Sequence, residues 1–461
     1  MADSHDIVII GGGSAGYAAA RTAADRGANV AIVDQGPLGG LCILRGCMPT
    51  KTILRTAEIA ALMRRAKEFG LSPVEVTADL EKIVDRKDRL VREFADYRIE
   101  QLRDPRFTLY QGAASFLSPN RVRIGSQEVE AKAFVIATGS APNDISVPGL
   151  SETGYVTSDT LLDLRDRPAS VVVLGGGPVA LEFGQFFGRI GTTVTIIQRS
   201  DHLLSHLDAD IGSAVEQALR EEGIAVFTGT ALQRVERSGS NKRVTFRHRG
   251  REVHADGALI LQALGRRPHI DGLNLDKAGV TVVDGRVAVD DTMRTSQPHI
   301  FAAGDVTNLY DIVHIAVQQG EMAGFNAFQT AGPLRSFDSR LVTEVIFTEP
   351  QVATVGLSEM ACRAGGVPHL AASYPFADHG KAMCRGDHHG FVKLVASPAG
   401  GKLLGAQIVG PEAGELIHEL IAVMYFHGTV ADLLRMPHYH PTLAEIITYP
   451  AESLAERIGL L

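Results

Sequence analysis

The sequence predicts an α/β chain built in three parts. A pattern of strand, glycine turn, helix and strand is written twice, at 6–34 and 171–198, and beyond residue 340 the pattern changes to strands, polar loops and helices. The length agrees: 461 residues and 49.3 kDa exceed one ordinary domain. A hydrophobic content of 45%, a charged content of 21% and 48 glycines fit a folded, soluble chain rich in turns. A net charge of -8 argues against a nucleic-acid partner, which calls for a basic surface. No apolar run approaches the roughly 20 residues that span a bilayer, and "MADSHDIVII" enters a strand directly, so no membrane partner and a cytoplasmic location are expected. Four cysteines do not make a disulfide scaffold in such a length.

The first repeat, "DIVIIGGGSAGYAAARTAADRGANVAIVD", reads as a dinucleotide-binding βαβ unit of the Rossmann type. Gly11 permits the tight turn, Gly13 lets the backbone of the Ser14–Ala15 step approach a pyrophosphate, and Gly16 lets the helix pack on the strand. Asp34 closes the second strand, where a carboxylate bonds ribose hydroxyls. The second repeat, "VVVLGGGPVALEFGQFFGRIGTTVTIIQ", carries Gly175, Gly177, Pro178 and Val179 in its turn. Gly11 to Gly27 and Gly175 to Gly191 are the same 16 residues apart, so two separate dinucleotides are expected. The copies differ where their ligands would differ: Gly16 is matched by Ala180, and Asp34 by Gln198 followed by Arg199.

Between and after the repeats, "VIATGSAPNDISVPG" with Thr138 and Gly139, "ALILQALGRRP" with Gly265, and "TSQPHIFAAGDV" with Asp305 are apolar strands running into glycine turns. Asp305 reads either as a ligand of a ribityl chain or as a helix N-cap. Beyond residue 340, "EVIFTEPQVATVGLSE" and "GFVKLVASPAGGKLLGAQIVG" read as strands, and 411–427 and 442–458 as helices.

The stretch "GGLCILRGCMPTK" sets Cys42 and Cys47 five residues apart after Gly40. Five helical residues rise about 7.5 Å, whereas bridged cysteines sit about 4.4 to 6.8 Å apart, so the pair belongs on an irregular turn that enters a helix. A helix N-terminus stabilises a thiolate, the form that exchanges with disulfides. A zinc site is disfavoured, because C-x4-C has no second pair within reach.

With these residues quoted, the chain resembles, over essentially its full length, the FAD-dependent pyridine nucleotide-disulfide oxidoreductases, the family of dihydrolipoyl dehydrogenase, glutathione reductase and mercuric reductase. The ordered signatures are GGGSAG from Gly11, GLCILRGCMPTK from Gly40, ATGSAP from Ala137, GGGPVALE to Glu182, ALGRRP from Ala263, AGD to Asp305 and HPTLAE from His440 to Glu445. The resemblance implies FAD on the first unit, NADPH or NADH on the second, and a homodimer formed by the C-terminal domain. It divides the chain into an FAD domain in two parts, 1–149 and 270–338, an NAD(P) domain at 150–269 and a dimerisation domain at 339–461. It makes Cys42 the thiol that attacks a substrate disulfide and Cys47 the thiol against the flavin. Lys51 and Glu182 become the pair beside the flavin, and His440 with Glu445 the acid-base dyad serving the other subunit's cysteines. His438, Tyr439 and the "DHHG" run are left as loop residues, and Cys362 and Cys384 without a role.

The resemblance implies a small-molecule or carrier-bound disulfide as substrate, with dihydrolipoyl dehydrogenase matching best in layout. Pro178 stands where glutathione reductases place a tyrosine, and the tail "AESLAERIGLL" lacks the cysteine pair of mercuric reductases. Alternatives are a glutathione reductase-like or other low-molecular-weight disulfide reductase, a flavin-dependent NAD(P)H oxidase or quinone reductase, and a non-enzymatic flavoprotein subunit. Gln198 removes the carboxylate that would repel a 2′-phosphate and Arg199 can bond one, so NADPH is expected over NADH, although His202 and His206 stand where a second arginine would help.

Overall fold

The computed structural model describes residues 3–329 and 331–461. They form two compact units, one of 1–52, 81–144 and 265–337, the other of 53–80, 145–264 and 338–461.

In the first unit, strands Phe107–Gln111, Val30–Asp34, Asp3–Ile10 and Gln127–Ile136 lie side by side and parallel, and Ile300–Ala302 pairs parallel with the end of the last. The beginning of Gln127–Ile136 instead pairs antiparallel with Arg121–Ile124, which pairs with Ala114–Ser118. The central strand, Asp3–Ile10, is apolar without interruption from Ile7 to Ile10, where both of its faces are covered. Ile7 and Ile9 face the small residues of helices Ser14–Ala24 and Val313–Ala327, while Val8 and Ile10 face Phe116, Val122 and Phe134. The two helices touch almost backbone to backbone. A Cβ on Gly320 would stand 2.1 Å from the Ala15 carbonyl oxygen, and one on Gly324 would stand 2.3 Å from that of Ala19. Glycine and alanine at this crossing decide how near the pyrophosphate turn the second helix can come.

In the second unit a parallel sheet runs Ala225–Phe227, Thr193–Ile197, Ser170–Leu174, Leu259–Gln262. An antiparallel meander follows the first of these, with strands Thr230–Ser238, Asn241–His248 and Arg251–Gly257. The C-terminal part is a five-stranded antiparallel sheet in the order Thr343–Ile346, Gln351–Gly356, Leu403–Gly410, Phe391–Ala396, Leu370–Pro375. Helices Ala413–Tyr425 and Thr448–Ile458 bury Ile417, Leu420, Leu454 and Ala455 in the core of this part. The expected helix at 442–458 divides into a 3-10 segment, Leu443–Ile447, and an α-helix, and a further short helix, Val430–Arg435, lies between the two expected ones. Lys393, on the sheet and 4% exposed, is held by Asp208 at 2.8 Å and Asp210 at 2.7 Å, at the start of helix Ala209–Glu221. Its ammonium is thereby kept charged although buried. No described helix is long and apolar enough to cross a membrane.

Gly324→Ala is expected to destabilise the protein by about 1 to 3 kcal/mol, because the new methyl meets main chain that cannot rotate away. Thermal melts of the variant with FAD bound would show this as a lowered Tm, and an unchanged Tm would contradict the close helix crossing.

Candidate active site

The two glycine turns are the same device. A Cβ on Gly11 would lie 2.2 Å from the Ala137 carbonyl oxygen, and one on Gly175 would lie 2.3 Å from that of Ala263. Both have positive φ, 110° and 119°, so glycine is required twice over. Gly12 leaves room for the Asp34 carboxylate and Gly176 for the Gln198 side chain, each 2.9 Å from the absent Cβ. The third position differs. A Cβ on Gly16 would stand 1.8 Å from the Gly11 carbonyl oxygen, whereas Ala180 fits fully buried.

Asp34 accepts the Gly12 and Gly36 N–H groups, one on each oxygen and both at 2.7 Å. The carboxylate is thus aimed across the first turn with further lone pairs to offer. Around Gly13 the position of a Cβ is open, with nothing within 4 Å, and Gly40 closes over it so tightly that its own Cβ would meet Gly13 Cα at 2.8 Å. Backbone N–H groups at the start of helix Ser14–Ala24, an open approach and a carboxylate at the strand end together suit a dinucleotide pyrophosphate and ribose. Asp305, in the 3-10 turn Asp305–Thr307, accepts the Ser140 hydroxyl at 2.7 Å, and Arg266 Nε donates to that hydroxyl at 2.9 Å. Ser140 and Arg266 are members of this network that sequence reasoning missed; both stand in strand-to-turn stretches with no pattern marking their partner.

Neither Cys42 nor Cys47 is in a disulfide. Cys42 lies within a short helix, Leu41–Leu44, that Arg45 breaks with φ -143°, and Cys47 opens helix Cys47–Arg64. The break is what brings the sulfurs together. The Cys42 thiol is pushed far up by its hydrogen bond with Cys47 and then by burial, with Lys51 pulling the other way. Cys42 is thus held toward its protonated form, while Cys47 stands at a helix N-terminus, the end that favours a thiolate. Gly46 is small for the same reason: a Cβ there would press on Cys42 Cα at 3.0 Å. Thr138 and Gly139 turn the chain nearby in sequence to Ser140, and the Thr138 hydroxyl donates to the His269 carbonyl oxygen at 2.6 Å. Arg98 also belongs to this unit. It stacks on Tyr17 at 4.4 Å, its Nε and Nη1 are buried without a hydrogen-bond partner among the described residues, and burial lowers its pKa.

In the second unit Pro178 opens helix Pro178–Arg189, Val179 follows, and Glu182 is buried, accepting the Phe347 N–H at 2.9 Å. Arg199 is exposed after the strand end. His440 Nδ1 lies 2.9 Å from Glu445 Oε1, and Glu445 Oε2 accepts the Thr442 N–H at 2.8 Å. The Glu445 carboxyl is held below the usual carboxylate range by the Thr442 N–H and by His440. Nε2 of His440 is turned outward on a side chain 83% exposed, where a substrate proton could be taken or given. The T-x-x-E spacing of Thr442 and Glu445 is a capping-box signal in the sequence, and the structure forms that box. His438 is not a plain loop residue: it is 9% exposed and its Nε2 lies 2.8 Å from Glu419, nineteen residues away, a partner no local pattern announces. His379 is also buried, with Nδ1 lacking a partner and its pKa lowered by burial. Cys42, Cys47 and Lys51 belong to one unit, Glu182, His440 and Glu445 to the other.

Because the folded Glu445 carboxyl binds its proton less readily than in the unfolded chain, its contribution to stability is complete above the unfolded pKa and is lost as pH falls through the lower folded one. Melts of wild type and Glu445→Gln from pH 7 to pH 3 should therefore converge at the acid end. A constant gap over that range would mean that the carboxylate is not what the Thr442 turn uses.

Two family models match the chain: pyridine nucleotide-disulphide oxidoreductase over residues 5–320, and the dimerisation domain of the same family over 342–451. Mercuric reductase from Staphylococcus aureus is 36% identical over 92% of this chain and 78% of its own length. Dihydrolipoyl dehydrogenase from Bacillus subtilis is 33% identical over 91% of this chain and 92% of its own. Among solved structures, the HOCl-induced flavoprotein disulfide reductase RclA from Escherichia coli superposes with a TM-score of 0.85 at 26% identity, covering 100% of both chains. The chain belongs to the FAD-dependent pyridine nucleotide-disulphide oxidoreductases and carries their dimerisation domain.

Proposed function

We propose that the protein is a homodimeric NAD(P)H:disulfide oxidoreductase of the dihydrolipoyl dehydrogenase type, reducing a small or carrier-bound disulfide through Cys42 and Cys47. The observation that carries this reading is the thiol pair itself, Cys42 hydrogen-bonded to Cys47 at the start of an 18-residue helix. FAD would be held by the Gly11–Gly16 turn, Gly40, Asp34 and Asp305, and when bound supplies the two-electron relay between nicotinamide and cysteines. Lys51 would offer a cation and Glu182 a carboxylate beside it. The nicotinamide dinucleotide would lie on the Gly175–Gly177 turn with Pro178 and Val179, near Gly265.

In the reducing direction Cys42 gives its proton to His440 and attacks the substrate disulfide. One substrate thiol leaves with the proton returned by His440, and a mixed disulfide remains on Cys42. Cys47 then attacks Cys42 and expels the second substrate thiol, which takes a proton from solvent. The Cys42–Cys47 disulfide so formed is returned to the Cys42 thiol and the Cys47 thiolate by the hydride equivalent of NAD(P)H, two electrons and one proton, and NAD(P)+ leaves. Glu445 holds the imidazole of His440 in one orientation throughout. The dyad of one protomer serves the cysteine pair of its partner, and exposed Tyr425, Phe426 and Tyr439 provide apolar surface for the dimer.

Metal-ion reduction is a second reading, favoured by the 36% identity to a mercuric reductase. It asks for soft thiolate ligands, and beyond the pair the chain has only Cys362, which is buried, and Cys384, which is exposed. A turnover panel of lipoamide, glutathione disulfide, coenzyme A disulfide, a quinone, oxygen and Hg(II) separates the readings. Fastest turnover with lipoamide supports the proposal; preference for Hg(II), quinone or oxygen overturns it.

Cys47→Ser is expected to abolish disulfide reduction while FAD stays bound, because the Gly11–Gly16 turn is untouched. Residual activity above a few per cent would contradict the electron path. His440→Ala should lower turnover by roughly 100- to 10,000-fold, the scale for a positioned acid-base group. Mixed dimers of Cys42→Ser and His440→Ala protomers, isolated by two tags, should recover activity, since one site keeps both parts; inactive mixed dimers would rule out a shared site. Arg199→Ala should reduce the NADPH-to-NADH ratio of kcat/KM by about tenfold, matching a charge-assisted bond of ~1.5 to 3 kcal/mol. A wild-type preference for NADH, or an unchanged ratio, would remove Arg199 from the nucleotide choice.

A further inference from the structure

Helix Ala209–Glu221 is anchored at its start by Lys393, and at its end three further side chains converge. The ligand atoms of Glu221, His388 and His389 all lie within 4.8 Å of one another. The two histidines belong to the bend between helix Gly380–Arg385 and strand Phe391–Ala396. Consecutive side chains of a strand point to opposite faces, so two adjacent histidines do not ordinarily meet. Here Gly386 and Gly390, with φ of 68° and 86°, turn the chain on either side of the pair, and the imidazole centroids are 4.5 Å apart. Gly390 has no alternative: a Cβ there would stand 2.0 Å from the Val409 carbonyl oxygen.

His389 Nε2 is 3.2 Å from Glu221 Oε2, and Gln217 Nε2 donates to the other carboxylate oxygen, Oε1, at 2.9 Å. A tetrahedral metal site with bonds of about 2.0 to 2.2 Å sets neighbouring ligand atoms roughly 3.4 Å apart, so one edge is already in place. The remaining closure requires only rotation of side chains that are exposed or half-exposed. Gln217 orients the carboxylate as outer partners of metal ligands do. Near the bend, Arg65 is engaged by Glu68 at 2.9 Å and Asp387 at 3.2 Å, Arg385 by Asp387 at 2.7 Å, and Glu222 by Arg189 at 2.5 Å.

We propose that Glu221, His388 and His389 form a site for a borderline divalent transition metal of the Zn(II) type. Two imidazole nitrogens and one carboxylate oxygen bind the ion, and the fourth position is open to water or an outside ligand. The ion would clamp the end of helix Ala209–Glu221 to the edge of strand Phe391–Ala396, whose Lys393 holds the start of the same helix. The site is independent of the redox cysteines, which are chemically softer and belong to the other unit.

The test uses untagged holoenzyme, reduced and then alkylated so that no thiol can compete, titrated with Zn(II) by calorimetry at pH 7.5. One Zn(II) per chain is expected, with a rise in Tm on saturation. His388→Ala and Glu221→Gln should each weaken binding at least tenfold and lose most of the Tm rise. The same variants, unalkylated and free of metal, should reduce disulfides within twofold of wild type, which shows that they are folded. Absence of saturable binding to the wild type, or variants that bind as tightly as it does, would overturn the proposal.

Discussion

Backbone against backbone, with no room for a Cβ, is the constraint on which the rest of this molecule depends. At Gly11 and Gly175 the turn passes within contact of the carbonyl oxygens of Ala137 and Ala263, so that the helix after each turn starts directly at the sheet edge. The helix crossing at Gly320 and Gly324 repeats the device one layer out. Small residues here are what aim helix N-terminal N–H groups at the place a pyrophosphate occupies. The positive φ of both first glycines means that no larger residue could serve even if space were made.

The reactive thiols depend on a second local break. A continuous helix from Leu41 onward would hold Cys42 and Cys47 apart; the irregular backbone at Arg45 and the absent side chain at Gly46 let them meet. Contact then divides their chemistry. The hydrogen bond with Cys47 and burial push the Cys42 thiol up, while Cys47 opens a helix at the end that favours a thiolate, an asymmetry that suits a two-step exchange.

The acid-base dyad gains its order from turn chemistry. One oxygen of Glu445 caps the Thr442 turn while the other holds His440, so the group that fixes the imidazole is itself fixed by the main chain. His438, two residues earlier, is turned inward onto Glu419. Alternate histidines thus serve opposite sides of one strand-like segment, one closed within the protein and one presented outward.

By itself the sequence determined the two βαβ units, their glycine turns and the Cys42–Cys47 turn, because each is a local pattern whose residues are imposed by φ, by a missing Cβ or by helix entry; His440 and Glu445 stand out only through the family resemblance, since a histidine before a proline is an ordinary loop residue. It also marked the one place where the repeats part, Asp34 against Gln198. Tertiary structure alone decided what meets across long separations: Ser140 with Asp305, His438 with Glu419, Glu221 with His388 and His389. It likewise decided that Lys393 is buried between Asp208 and Asp210. The reason is the same in each case. A contact between side chains far apart in sequence depends on how sheets and helices stack, and stacking leaves no mark at either position when the residues are ordinary in type.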